Sequence, residues 1–67
     1  MIHVTLNGQT ETLPDGADVL TLLEQRGMAG ARLAVELNGE IVPRARHAET
    51  LLAEGDSLEI VAAVGGG

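Results

Sequence analysis

Cysteine is absent from this 67-residue chain, which removes disulfides, thiolate metal ligation and any persulfide held on the chain itself. Phenylalanine, tyrosine and tryptophan are absent as well. The core must therefore be built from Leu, Val, Ile and Ala, and there is no aromatic platform on which bases could stack. Lysine is missing too, and four arginines stand against ten acidic residues, for a formal net charge of -6. That balance repels phosphate backbones and anionic membrane surfaces, and it steers the domain toward a basic protein surface. No apolar run approaches the roughly 18 residues of a membrane span, and no basic segment followed by an apolar one opens the chain, so it reads as cytoplasmic. A protein partner is expected, with no nucleic acid and no membrane. Sixty-seven residues make one small domain, which buries only about 60% of the surface its unfolded chain exposes.

What is present is patterned. Ile2, Val4 and Leu6 alternate with His3 and Thr5 and run into Asn7-Gly8. Both residues of that pair tolerate the positive φ of a type I′ turn, so a hairpin is expected with Gln9 to Leu13 as its return strand. Pro14-Asp15-Gly16 ends that strand. His3, without a companion ligand at useful spacing, reads as a surface residue.

Asp18 is placed to cap a helix from Val19 to Arg26. Val19, Leu22 and Leu23, with Leu20 beside them, form its apolar stripe, and Thr21, Glu24 and Gln25 face water. Gly27 occupies the position after the C-cap, and Met28 to Ala31 are a short linker. Only two or three turns are available, so the helix depends on the sheet beneath it. Leu33, Val35 and Leu37 alternate again and end at a second turn, Asn38-Gly39; Glu40 to Val42 return briefly and Pro43 stops them. Arg44-Ala45-Arg46-His47 reads as a solvated connection, Leu51-Leu52 as the anchor of the crossover, and Ala53 to Asp56 as a tight turn.

The last ten residues organise the rest. Leu58, Ile60, Ala62 and Val64 lie on one side of a strand, Glu59, Val61 and Ala63 on the other, and Gly65-Gly66-Gly67 follow. Glycine weakens an element by roughly 0.5 to 1 kcal/mol relative to alanine, so these three do not serve the strand. Two uses remain open: a frayed end, or a tail threading a channel in a partner too narrow for side chains. Laid in parallel beside the first strand at the centre of the sheet, the final strand lets every apolar stripe meet the helix. The expected architecture is α+β, a ubiquitin-like β-grasp with a mixed sheet of four to five strands on one helix. Its domain spans residues 1–64, and 65–67 form a flexible C-terminal glycine tail.

In these residues the chain resembles the sulfur carrier proteins of thiamine biosynthesis, the ThiS family. The resemblance covers nearly the whole chain. It rests on the Asn7-Gly8 hairpin, Leu22-Leu23 in the helix, Ala34-Val35-Glu36-Leu37-Asn38, Val42-Pro43-Arg44, Glu54-Gly55-Asp56, and the run from Glu59 to Gly67. It implies that an ATP-dependent, ubiquitin-activating-like adenylyltransferase recognises Gly66 in the tail and adenylates the carboxylate of Gly67. Sulfur from a persulfide donor, a cysteine desulfurase or similar enzyme, then converts that end to a thiocarboxylate, which thiazole synthase consumes. With no general base, metal ligand or thiol contributed by this chain, the resemblance implies a carrier without a cofactor of its own rather than an enzyme. Acidic residues near the tail, among them Asp56 and Glu59, are candidates for docking on a basic face. Family members often end in two glycines; here Gly65 makes a third. The small subunit of molybdopterin synthase shares the chemistry, but its members tend to bear aromatics and reach the glycines through proline, whereas this chain has Ala62-Ala63-Val64. A β-grasp interaction module without covalent chemistry is the other reading.

Overall fold

Two Asn-Gly turns and one proline stop set the strand boundaries. The computed structural model describes residues 1–30 and 32–62. Strand β1 (Ile2–Leu6) turns at Asn7 (φ 49) and Gly8 (φ 85) into β2 (Gln9–Leu13). These are the paired positive φ angles of a type I′ turn, and the hairpin is in register from Ile2↔Leu13 to Leu6↔Gln9. The second turn repeats the device: Asn38 (φ 51) and Gly39 (φ 87) join β3 (Leu33–Leu37) to β4 (Glu40–Ile41). The last strand, β5 (Ser57–Ala62), enters between the two hairpins, parallel to β1 and antiparallel to β3, which gives the order β2-β1-β5-β3-β4. The expected β-grasp architecture is thus present, with five strands. The continuation of β5 through Ala63 and Val64, the boundary at residue 64, the glycine tail and the linker residue Ala31 lie outside the described residues.

Helix α1 (Val19–Gln25) has only seven residues, and its ends are closed by local hydrogen bonds. Asp18, in extended conformation, accepts from the Thr21 N–H through Oδ1 at 2.7 Å, a cap contributing about 1 kcal/mol. At the other end Arg26 is the C-cap and Gly27 (φ 72) lets the chain reverse. Gly27 N–H donates to Glu24 O at 3.1 Å and Met28 N–H to Leu23 O at 2.7 Å, the reciprocal pair of a Schellman motif. The helix turns Val19, Leu22 and Leu23 onto the sheet. There they meet Val4, Leu6, Leu13, Val35, Leu58 and Ile60, all buried. Aliphatic side chains alone make this core.

Two expectations for the crossover are corrected. Residues Arg44–Glu49 form a 3-10 helix; Arg44, Ala45 and Arg46 are exposed as the solvated reading expects, but His47 is buried. Its Nε2 lies 3.1 Å from the Val42 carbonyl. A carbonyl only accepts, so Nε2 carries the proton. The cause of the correction is Pro43, whose extended backbone (φ -59, ψ 148) starts a tight turn rather than a loop, closed first by Arg46 N–H to Pro43 O at 2.8 Å. Leu51 and Leu52 do not act together. Thr50 to Leu52 run beside the helix cap, with Val19 N–H on Thr50 O, Leu52 N–H on Ala17 O and a bridge between Asp18 and Leu51. Extended backbone sends successive side chains to opposite sides; Leu52 is buried and Leu51 is exposed.

Candidate functional site

Gly67, expected to react, and Gly66, expected to be recognised in the tail, lie outside the described residues, and the described part of the site is the strand that leads to them. Three neighbours grip β5. Along its β3 side it is paired from Leu37↔Leu58 to Leu33↔Ala62. Along its β1 side the ladder is short, Thr5↔Ser57 and Leu6↔Leu58, because β1 turns away at Asn7. The third grip comes from the side chains of the two turn asparagines. Asn7 accepts from the Ile60 N–H through Oδ1 at 2.8 Å and donates to Ile60 O through Nδ2 at 3.1 Å. Asn38 accepts from the Ser57 N–H at 2.9 Å and donates to Asp56 Oδ1 at 3.0 Å. Both asparagines are legible in the sequence as turn formers; that their amides hold the final strand is not, since the partners are far away in the chain.

Asp56 and Glu59, the acidic residues expected near the tail, separate. Asp56 stands at the start of β5, the end away from the tail. Its second carboxylate oxygen accepts from the Ala53 N–H at 2.8 Å, closing the turn in which Asp56 N–H donates to Ala53 O at 3.1 Å. Both its oxygens are engaged in holding structure. Glu59 is exposed on the sheet face opposite the helix, directly across from Glu36 on β3, with Val61 across from Ala34 one step nearer the tail. Like charges placed opposite each other in a ladder oppose folding. The pair therefore leaves an acidic spot, and exposed Val61 an apolar one, at the root of the tail.

His3 is exposed, as expected, but it has a partner. Glu54 Oε1 accepts from the His3 N–H at 2.9 Å and sits 3.3 Å from Nδ1, while Gly55 N–H donates to His3 O at 2.8 Å. This stitches the start of β1 to the turn that feeds β5. The hydrogen bond from the His3 backbone holds the Glu54 carboxyl below its ordinary value; partial desolvation works against it, and the His3 ring and the α-ammonium add to it. A carboxyl lowered on folding stabilises the fold above its unfolded value, and that contribution is lost as pH falls through the folded one. Urea midpoints of wild type and Glu54→Gln, followed from neutrality to below about pH 4.5, should therefore differ at neutral pH and converge in acid. A constant difference across that range would show that the charge of Glu54 contributes nothing.

Elsewhere, Arg26 pairs with Glu11 at 3.2 Å. A hollow of about 170 Å³ between α1 and the 3-10 helix is lined by Leu20, Leu23, Met28, Leu33 and His47, among others, and by no residue of β5. Among the described residues no helix is long and apolar enough to cross a membrane.

Comparison with known proteins places this geometry. A model of the ThiS family matches residues 4–67. A thiazole synthase of Paramagnetospirillum magneticum is 39% identical over 66 residues, which cover 98% of this chain and 20% of that protein. A thiazole synthase of Magnetococcus marinus is 34% identical over 66 residues, with the same coverage of 98% and 20%. The chain thus spans about a fifth of the length of the curated relatives it matches. Among solved structures, the crystal structure of a thiamine biosynthesis protein (ThiS) from Geobacter metallireducens is similar with a TM-score of 0.84 at 33% identity, covering 98% of this chain and 100% of that one. A solution structure of a thiamine biosynthesis protein from the same organism gives a TM-score of 0.77 at 33% identity, covering 98% and 88%.

Proposed function

Since the chain belongs to the ThiS family, we propose that it is a sulfur carrier, loaded as a thiocarboxylate on Gly67 and unloaded during thiazole formation in thiamine biosynthesis. The observation that carries this reading is the family match, which runs through the whole of β5 to the last glycine. The fold supports it. A strand held at the centre of the sheet is a firm base for a glycine-ended tail, and glycine brings no Cβ to crowd attack at the reacting carbonyl.

The chemistry requires Gly67 to carry a free α-carboxylate. A carboxylate is a poor electrophile, so an ATP-dependent, ubiquitin-activating-like partner first converts it to an acyl adenylate and releases pyrophosphate. The terminal sulfur of a persulfide then attacks the acyl carbon and AMP departs. The acyl disulfide so formed gives the thiocarboxylate when a thiol cleaves its S–S bond. On this reading the nucleotide, the metal and the acid–base groups belong to the partners, and the chain is a cosubstrate. The names of the two curated relatives support thiazole synthase as the destination over molybdopterin synthase.

The test is intact mass spectrometry after incubation with an activating enzyme from the same organism, MgATP and a persulfide source. Exchange of one oxygen for sulfur adds about 16 Da, and fragmentation should place it on Gly67. No gain, from an enzyme shown to load another carrier, would leave the interaction-module reading in its place.

A further inference from the structure

We infer that Asn7 is a positioning residue for sulfur loading: its side-chain amide replaces a missing rung of the β1–β5 ladder and thereby fixes the line along which β5 runs toward the tail. The inference rests on the carrier reading above. It starts from an asymmetry in β5. On its β3 side the strand is paired as far as Ala62, but on its β1 side the last paired residues are Leu6 and Leu58. Asn7 N–H still donates to Leu58 O at 2.9 Å. Beyond that point β1 has turned away into the hairpin, so no backbone follows β5 on that side.

The next β5 residue with backbone groups directed to that side is Ile60. Both its N–H and its C=O meet the Asn7 amide, at 2.8 and 3.1 Å. A carboxamide presents one acceptor and one donor in a plane, as a peptide group does, so it can stand in for a strand residue. The Ile60 side chain is buried. Backbone groups at such a position are costly to leave without partners. Among the described residues Ile60 is accordingly the last of β5 whose backbone is held on the β1 side, while β3 stays paired with the strand as far as Ala62. From Ala62, the last residue paired with β3, five residues lead to Gly67, a covalent reach of at most about 18 Å. Where that reach begins, and in which direction, decides whether a docked carrier delivers its carboxylate to the nucleotide.

The positive φ at Asn7 explains how the residue does both jobs. At φ 49 only glycine, asparagine or aspartate sits easily, and of these only asparagine carries both an acceptor and a donor. Asn7→Gly therefore keeps the turn and deletes the clamp. Asn38→Gly is the matched control, because Asn38 occupies the same turn position and grips Ser57, at the end of β5 away from the tail.

Two measurements on the full chain test the proposal. Backbone hydrogen exchange, with no partner added, should show the Ile60 amide of Asn7→Gly exchanging about tenfold faster or more, while in Asn38→Gly it keeps its wild-type rate relative to the other core amides. Steady-state adenylation with the activating enzyme should show a kcat at least about fivefold lower for Asn7→Gly, with KM within about twofold, the split expected when placement is lost and binding is not. Asn7→Asp keeps the acceptor for the Ile60 N–H and tolerates the turn, so it should fall between. A kcat for Asn7→Gly equal to wild type, or the same loss in Asn38→Gly, would reduce Asn7 to a structural residue and overturn the proposal. If the wild-type chain is not adenylated at all, the carrier reading fails and the positioning role with it, whereas unchanged exchange at Ile60 in Asn7→Gly refutes the clamp alone.

Discussion

Deletion of Gly66 and Gly67 is expected to abolish sulfur loading completely while leaving the fold intact. Two residues of extended chain span about 7 Å, so a carboxylate moved back onto Gly65 falls short of a nucleotide site shaped for the full tail. A Gly terminus remains, and the chemistry at the carbonyl is therefore unchanged; what is lost is reach. The core strand residues Leu58 and Ile60 precede the deletion and keep their partners on β1 and β3, so the melting temperature should stay within about 2 °C of wild type. Intact mass after incubation with the activating enzyme, MgATP and persulfide reads the first effect, and circular dichroism melting reads the second. Loading at the wild-type rate after the deletion would remove the last two glycines from the mechanism.

Leu58→Ala is expected to have the largest effect on stability. Leu58 is completely buried and sits in the central strand, with Leu6 opposite it on one side and Leu37 on the other. Truncating such a leucine costs about 2–5 kcal/mol, because the lost burial is compounded by the cavity left behind. A domain of this length has a total stability of only about 3–10 kcal/mol. The variant should therefore lose a large share of its stability and be partly unfolded at physiological temperature. Val61→Ala, three residues along the same strand, is the internal comparison. Val61 is 59% exposed on the outer face, and its truncation should shift stability by no more than about 0.5 kcal/mol. Urea unfolding of both variants gives the difference directly. Comparable losses would mean that the two faces of β5 are not distinguished by burial as described.

The elements of the fold were legible because each is encoded within a few residues. Alternation assigned the faces of β1, β3 and β5; Asn-Gly marked both hairpins through tolerance of positive φ; and Asp18 and Gly27 marked the two ends of α1. The placement of β5 beside β1 followed from matching apolar stripes to a single helix. The run from Glu59 to Gly67, read with Val42-Pro43-Arg44, points to the family and to the candidate glycines from sequence alone.

What only the tertiary structure decided has a common character: it depends on partners distant in the chain. Arg44, Ala45 and Arg46 are solvated as their composition says, but a 3-10 turn started at Pro43 places His47 inside, on the Val42 carbonyl. Leu51 and Leu52 are indistinguishable as letters, and pairing of the Thr50–Leu52 backbone with Ala17 to Val19 turns one out and the other in. Asp56 looks like a surface charge near the tail but serves the Ala53 turn and Asn38 at the other end of the strand. Above all, the Asn7 amide finds Ile60 across 53 residues of sequence. Backbone preference is a property of a residue and its neighbours, so a sequence states it; the partner of a side-chain amide is a property of where the chain has folded, so only the closed sheet can.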